Sequence, residues 1–269
     1  MLPMKSLSLN TSDQLNYLGF QRFAPHPYLR SWVQCYWVVS SVESIVSEEK
    51  LYPDGCTSLT IDFTSSSLSM QFNAIQTLNR LQLKGTLDRM GIRFHPGGAF
   101  QLLGLDMGEL ANRECSLQDL GFTRLQVQEQ LSGAANISQR LELLDSWLLQ
   151  ESIAVKAECG LVQRLLPHLL RSENSIEELS RAVALSRRQL ERKFLQQVGL
   201  TAVKLKQLVR IKQARLSIGR APDTPLTKVA LDAGFYDQSH FIRQFQLVTE
   251  QTPGQYRQRK MSQKYNYLL

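Results

Sequence analysis

The sequence lacks any apolar run that approaches the ~18 consecutive residues of a membrane-spanning helix. Its first stretch, MLPMKSLSLNTSDQLN, also lacks the apolar centre of a secretory signal peptide. With 43% apolar and 20% charged residues, the composition is that of an ordinary folded protein. We therefore expect a cytoplasmic protein that has no membrane partner.

Cysteine is scarce and scattered. The four cysteines show neither a C-x-x-C motif nor the spacing of Cys/His metal ligands. Buried free thiols are the simplest interpretation, with a metal or redox role as the alternative. The residues concerned are Cys35, Cys56, Cys115 and Cys159.

The residue patterns of common active sites are also missing. His26 and His95 fall in a β-rich region without the closely spaced His-x-His and carboxylate of a cupin-type metal site. Gly97-Gly98 lacks the Gly-Lys-Ser/Thr ending of a phosphate loop. No nucleophile and acid surround His240. We expect no catalytic residue, no metal and no cofactor, and hence no enzyme.

Positive charge is concentrated in one half of the chain. The whole sequence has a formal net charge of +7. Residues 160–269 contain 19 Lys and Arg against 8 Asp and Glu, whereas residues 1–159 contain 12 against 16. A small domain with this excess attracts polyanions, nucleic acid first and anionic membrane second.

The hydrophobic pattern of the sequence changes along the chain from that of strands to that of helices. Turn signals such as Pro53-Asp54-Gly55 separate β-branched and aromatic runs, and from Gly104 the periodicity is helical. Ile137, Leu141, Leu144 and Leu148 form one helical stripe, which we interpret as core rather than a dimer seam, with Asn136 as a helix cap. The predicted strands are residues 31–40, 58–63, 68–72 and 89–94, and the predicted helices of this half lie within 116–131 and 136–150.

The basic half contains an internal repeat. Residues 175–205 align with 225–256 at an offset of 50, which becomes 51 after one extra residue in the turn. In the first copy, capping boxes at Ser175 and Ser186 predict the starts of two helices. In the second copy, Gly234 can end one helix and Asp237 can cap the next. Each copy is therefore predicted to be a helix-turn-helix, and residues 201–218 are predicted to form the helix that joins them.

The residues from about 160 to 260 resemble the AraC/XylS family of bacterial transcription regulators. The resemblance is carried by ALDAGFYDQSHFIRQFQLVTEQTPGQYR in the second copy. Glu250 stands where many members have glycine, and Ala202 stands where proline is frequent. The family resemblance implies a sequence-specific regulator that binds promoter DNA, and dimerisation through the N-terminal part; RNA polymerase and a small-molecule effector are further expected partners.

The N-terminal part resembles an uncharacterised β-rich sensor-like domain that accompanies this DNA-binding domain. Tyr36-Trp37, the Pro53-Asp54-Gly55 turn and the segment GIRFHPGG at 91–98 carry this resemblance. A weak ligand site is assigned to Tyr36, Trp37, Arg93 and His95, although a core role explains the aromatic residues equally well.

The predicted fold class is α+β, with an N-terminal antiparallel, barrel-like β-rich domain bearing helices and a C-terminal all-α domain. The first domain is assigned to 1–155, β-rich to about 105 and helical over 106–152. The second is assigned to 156–269, with helix-turn-helix units at about 175–199 and 225–250.

The DNA-contact candidates are the exposed positions of the two predicted recognition helices and the nearby basic residues. Base contacts are predicted for Arg187, Arg188, Glu191, Arg192, Gln238, Ser239, Ile242 and Arg243. Phosphate contacts are predicted for Lys193, Lys204, Lys206, His240, Tyr256 and Arg257.

Two other functions remain open from the sequence. A DNA-modifying or metal-dependent enzyme would use the N-terminal domain, and turnover or bound metal would reveal it. A basic adaptor would bind anionic surfaces without preferring any DNA sequence.

Overall fold

The structure is a computed structural model that describes residues 19–266, except 65–67, 75, 111–112, 122–125, 155–159 and 170–174. Within these ranges the first part is built on an antiparallel sheet and the second part is helical. The predicted fold class is thereby confirmed.

Six strands form one open sheet with the order β1-β2-β5-β3-β4-β6. All neighbouring pairs are antiparallel. In the described residues the two end strands are not paired with each other, so the sheet is open and does not close into a barrel. The strands are β1 (Gln21–Phe23), β2 (Val33–Leu51), β3 (Thr57–Asp62), β4 (Ser69–Asn73), β5 (Asn79–Phe94) and β6 (Glu114–Ser116).

Strands β2 and β5 are longer than the sequence predicts. The predicted segments 31–40 and 89–94 cover only the part whose alternate residues are apolar. Beyond it the two strands continue as a ribbon, with Ile45 opposite Gly85 and Leu51 opposite Asn79. The register shifts between Ser41 and Ile45, and the ribbon is rich in exposed polar residues, which explains why pattern alone missed it.

Three helices accompany the sheet: α1 (Gly98–Leu103), α2 (Gln126–Ser132) and α3 (Ile137–Ala154). Leu141, Leu144 and Leu148 of α3 are buried in the same core as the sheet, which confirms the predicted stripe. Asn136 Oδ1 accepts a hydrogen bond from the Gln139 amide at 3.0 Å, as expected of a cap.

The prediction of one helix within 116–131 is wrong in its first half. Residues 114–116 form β6, and a turn follows in which the Asp119 carboxylate accepts from the Ser116 hydroxyl at 2.7 Å. Gly121 then adopts a φ of +81°, a left-handed conformation that interrupts a helix.

The remaining helices build a second core. Its buried residues run from Val162 to Tyr256, whereas those of the sheet core run from Leu29 to Leu148. The predicted junction at 150–160 falls partly outside the described residues, and the domain boundaries stay a prediction. The helices are α4 (Leu161–Leu169), α5 (Ile176–Ala182), α6 (Arg187–Val198), α7 (Ala202–Arg220), α8 (Leu226–Asp232), α9 (Gln238–Thr249) and α10 (Pro253–Asn266).

Over the ranges that the structure describes, no helix is both long and apolar enough to span a membrane.

Candidate nucleic-acid interface

Helices α5 and α6 form the first helix-turn-helix, and both begin with a complete capping box. The Ser175 hydroxyl accepts from the Glu178 amide at 3.1 Å, and the Glu178 carboxylate accepts from the Ser175 amide at 2.7 Å. Ser186 and Gln189 repeat the arrangement at the start of α6. These reciprocal bonds satisfy amides that a helix start otherwise leaves unpaired, and they fix the N-terminal end of α6.

Helices α8 and α9 form the second unit. Gly234, at a φ of +82°, ends α8, and the Asp237 carboxylate accepts from the amides of Ser239 and His240 at 2.9 and 3.2 Å. Phe241 and Phe245 lie on the buried side of α9, with ring centroids 5.6 Å apart. The opposite side of the first turns of α9 therefore faces solvent.

Helix α7 joins the two units. Ala202, Leu205, Leu208 and Ile211 form its buried side, and the Thr201 hydroxyl caps its start by accepting from the Lys204 amide at 3.1 Å. The helix packs against both α6 and α9. It therefore fixes the separation of the two predicted recognition helices, α6 and α9.

Most predicted base-contact residues lie together on the exposed first turns of these two helices. Arg187 also pairs with Glu177 of α5, with Nη1 2.7 Å from Oε1. An exposed ion pair of this kind is weak, so the guanidinium can exchange Glu177 for a base or a phosphate. The exposed set is Arg187, Arg188, Arg192, Gln238, Ser239 and Arg243.

Two predicted base-contact residues have other contacts. Glu191 is half-buried, and its Oε2 accepts from the Ala202 amide at 2.9 Å, so this carboxylate caps the start of α7. Ile242 is half-buried against the helical core. Helical periodicity predicts that both side chains are exposed. The structure shows them half-buried, so both are less available to DNA than predicted.

The predicted phosphate contacts separate into two groups. Tyr256 is only 2% exposed, and its ring centroid lies 5.4 Å from that of Phe245. This corrects the predicted phosphate contact, because the Tyr256 side chain belongs to the core. The Arg257 guanidinium donates to the Thr224 carbonyl and holds the loop before α8. The signal for DNA was the basic and aromatic composition of α10, which cannot show which side of the helix is buried. Lys193 and His240 are exposed, and Lys204 and Lys206 are half-buried.

The four residues of the predicted ligand site lie in different surroundings. The Tyr36 side chain is buried, and its hydroxyl donates to Asp145 Oδ1 at 2.6 Å. This corrects the predicted ligand contact, because Tyr36 belongs to the sheet core. Burial, followed by the Asp145 charge, raises the pKa of Tyr36 far above its ordinary value. The Trp37 ring lies on the other face of the sheet, where a Cβ on Gly91 would clash with it.

Arg93 belongs to a charged cluster between the sheet domain and α7. Its Nη2 lies 2.6 Å from Asp54 Oδ1, and Lys212 Nζ lies 2.8 Å from Asp54 Oδ2. Burial raises the pKa of Asp54, but the two cations outweigh burial and hold it well below its ordinary range. His95 is half-buried nearby, and burial together with Lys212 and Arg93 lowers its pKa. The predicted ligand residue Arg93 is thus paired, within the sheet part, with the carboxylate that also binds Lys212 of α7.

Two surface clefts in the described part of the chain are lined by residues other than the four predicted ligand residues. One, of about 450 Å³, lies between α2 and α3 and is lined by Glu142 and Leu143 among others. The other, of about 580 Å³, separates Asp106 and Glu109 from Arg192 and Lys193 of α6. Beside it the Met107 amide donates to the Gln196 carbonyl at 2.8 Å, so the C-terminal half of α6 rests on the sheet domain.

Metal ligands are not grouped anywhere in the described ranges: no three His, Cys, Asp or Glu side chains converge. Cys35, Cys56 and Cys115 are free thiols, and Cys159 lies outside the described residues. Burial, followed by the Asp54 charge, raises the pKa of Cys56 to about 11, which makes this thiol a poor nucleophile at neutral pH.

Two family models match the chain, one in each part. A family described as a helix-turn-helix domain matches residues 179–259, and a domain of unknown function, DUF6597, matches residues 21–116. The first match begins within α5 and continues through α6, α7 and the whole second unit.

Named relatives align with the C-terminal part. The HTH-type transcriptional regulator MtrA of Neisseria gonorrhoeae is 33% identical over 105 residues, which cover 36% of this chain and 35% of MtrA. The arabinose operon regulatory protein of Salmonella typhimurium is 29% identical over 130 residues, which cover 46% of this chain and 45% of that protein. Each alignment spans less than half of the relative.

Among solved structures, ToxT from Vibrio cholerae aligns with 82% of this chain and 97% of its own, at 13% identity and a TM-score of 0.39. The family matches and the duplicated helix-turn-helix agree: residues 179–259 are similar to a helix-turn-helix domain family, and residues 21–116 are similar to the DUF6597 family.

Proposed function

We propose that this chain is a transcription regulator that recognises a specific DNA sequence with two recognition helices. The observation that carries the proposal is the pair of capped helix-turn-helix units on one connecting helix, each of which presents polar side chains on its exposed first turns. Two such helices in one molecule can enter successive major-groove segments, roughly 34 Å apart on one side of the duplex.

Specificity would come from the side chains that reach base edges. Arginine can bind guanine through two hydrogen bonds, and glutamine can do the same with adenine. Arg188 and Arg192 are the strongest candidates in the first unit, and Gln238 and Arg243 in the second. The net positive charge of residues 160–269 would supply the affinity that does not depend on sequence.

The role of the sheet domain in this function is a separate proposal. It contacts the first recognition helix through Met107 and the connecting helix through Asp54. A small molecule or a second copy bound to this domain would act on DNA binding through these contacts. A promoter, RNA polymerase, a homodimer and a small-molecule effector are the partners proposed with it, and no catalytic activity is proposed.

Selection of bound duplexes from a random library tests the proposal. The intact chain at physiological salt is compared with Arg192→Ala and Arg243→Ala, two exposed arginines at matched places in the two units. We expect a motif with two halves, and each substitution should relax the preference in a different half at a cost of about 1–3 kcal/mol.

A matched control is Lys228→Ala, an exposed cation on α8 outside both recognition helices. It should leave the motif intact. Binding that selects no motif and disappears steeply with salt would refute the proposal and favour the basic adaptor.

A further inference from the structure

Two cations of α7 lie on the side of the helix that points away from the sheet domain. Lys206 and Arg210 are one helical turn apart, and both are half-buried. Lys212 and Arg215, which contact Asp54 and Tyr52 of the sheet domain, lie on roughly the opposite side of α7.

This pair of cations lies at the junction of the two helix-turn-helix units. Burial and then the Arg210 charge lower the pKa of Lys206, while Glu178, in the first turn of α5, opposes the change. At the other end, Arg210 Cζ lies 5.9 Å from the ring centroid of Phe235, in the turn of the second unit. One turn of α7 therefore reaches from the first unit to the second.

Beside Arg210 stands an aromatic side chain with little protein cover. Tyr236 is 86% exposed and precedes Asp237, the residue that caps α9. Burial lowers the pKa of Arg210, and the nearby Tyr236 acts against this. An exposed tyrosine next to the N-terminal end of a recognition helix has its hydroxyl available as a hydrogen-bond donor to phosphate.

We propose that Lys206, Arg210 and Tyr236 bind DNA backbone phosphates between the two major-groove segments. The proposal rests on the proposed function and extends it, because the sequence predicts only Lys206 of these three residues as a phosphate contact. Two half-buried like charges repel each other in the free protein, and a polyanion relieves this repulsion. With the recognition helices in successive major-groove segments, the backbone between the segments passes the junction of the units.

The first test compares the salt dependence of DNA binding by the full chain. Arg210→Gln and Lys206→Gln should each reduce the slope of log K against log salt by about 0.9, which corresponds to about fivefold weaker binding at 0.15 M salt. Tyr236→Phe should weaken binding without changing the slope. The sequence motif recovered by selection should not change in any of them.

Two controls separate charge from fold. Lys84→Gln removes one exposed cation from β5 of the sheet domain and should leave slope and affinity unchanged. Arg210→Lys should restore the slope. An Arg210→Gln slope equal to that of Lys84→Gln, or a changed motif, would overturn the proposal.

The second test places neutral methylphosphonate linkages between the half-sites of the selected duplex. The wild-type chain should lose affinity with this duplex, and the Lys206→Gln/Arg210→Gln chain should lose much less. Equal losses would mean that the contact lies elsewhere. If selection recovers no motif, the proposed function fails, and the salt slopes measured on a random-sequence duplex still decide whether these residues bind phosphate.

Discussion

Lys212 Nζ donates a hydrogen bond to Asp54 Oδ2 at 2.8 Å and so connects the sheet domain to the helix between the two DNA-reading units. The other oxygen of Asp54 pairs with Arg93 at 2.6 Å, and its carboxylate also accepts from the Cys56 amide at 3.0 Å. The Asp54 side chain is only 9% exposed. One buried carboxylate therefore holds two cations that belong to different parts of the molecule.

Asp54→Asn should destabilise the protein strongly. The substitution leaves Arg93 and Lys212 near each other without the negative charge between them, and loss of one partner of a buried ion pair costs about 3–5 kcal/mol. We expect a lower Tm and, because the contact joins the two parts, a thermal transition that separates into two steps. Differential scanning calorimetry measures both.

Asp62→Asn is the matched control for this prediction. Asp62 also pairs with an arginine, Arg89, at 2.7 Å, but both residues belong to the sheet, and the Asp62 side chain is more exposed than that of Asp54. Its substitution should lower Tm less and leave a single transition. Equal effects of the two substitutions would contradict a special role for the interdomain pair.

Ala184→Gly should stabilise the protein. Ala184 has a φ of +53°, and its counterpart in the second unit is Gly234 at +82°. A left-handed conformation costs a residue with a Cβ roughly 1–2 kcal/mol, and Ala184 is exposed, so the methyl group contributes little burial in return. We expect a gain of about 1 kcal/mol in the free energy of unfolding, measured by urea denaturation.

The control for Ala184→Gly is Ala182→Gly, an exposed alanine at the end of α5. There glycine should cost about 0.5–1 kcal/mol, because it adds unfolded-state entropy without relieving strain. Destabilisation by both substitutions would show that Ala184 is not strained.

The repeat explains why the helical half was predictable from sequence. Capping boxes at Ser175 and Ser186 are local signals within four residues, and the structure forms both. Even the departure at Glu250 keeps the local geometry, because this residue adopts the same left-handed conformation as Gly199, its counterpart in the first unit. The turn survives without glycine, and the Glu250 carboxylate pairs with Arg80 of β5.

Contacts between distant parts of the chain were not predictable in the same way. Tyr36 is predicted as a ligand residue because no nearby sequence signal indicates its partner, Asp145, to which its hydroxyl donates. Tyr256 is predicted as a phosphate contact because the sequence does not show that it packs against Tyr52. The two ring centroids lie 6.2 Å apart, although the residues are about 200 positions apart in sequence. A single sequence specifies helix starts locally, but burial at such sites depends on which elements pack together.

Lys260 should make stability depend on pH near neutrality. Burial, then Arg259 and Arg215, lower its pKa to about 7, while Glu49 opposes them. Between about pH 7 and about 10.4, the unfolded chain binds the proton more strongly than the folded one, so this residue's contribution to stability rises with pH. Below about pH 7 the full cost of the buried charge is present.

Lys260→Gln should therefore have a higher Tm than the wild type at about pH 6, and the difference should shrink by about pH 9. Each kcal/mol corresponds to about 2–4 °C in a chain of this size. Lys228→Gln, at an exposed position, should show no such dependence. A Tm difference that is constant over this pH range would contradict the lowered pKa.

Substitution of Glu191 tests whether this residue is a helix cap or a base reader. Its Oε2 accepts from the Ala202 amide at 2.9 Å, at the start of the helix that fixes the spacing of the two units. Glu191→Ala removes this acceptor and should cost about 1 kcal/mol of stability, whereas Glu191→Gln keeps an acceptor oxygen and should cost less. Denaturation measures the stability, and duplex selection shows whether the motif changes. If Glu191→Ala instead relaxed one base position of the first half-site at unchanged stability, the bond to Ala202 would contribute little and Glu191 would be a base reader.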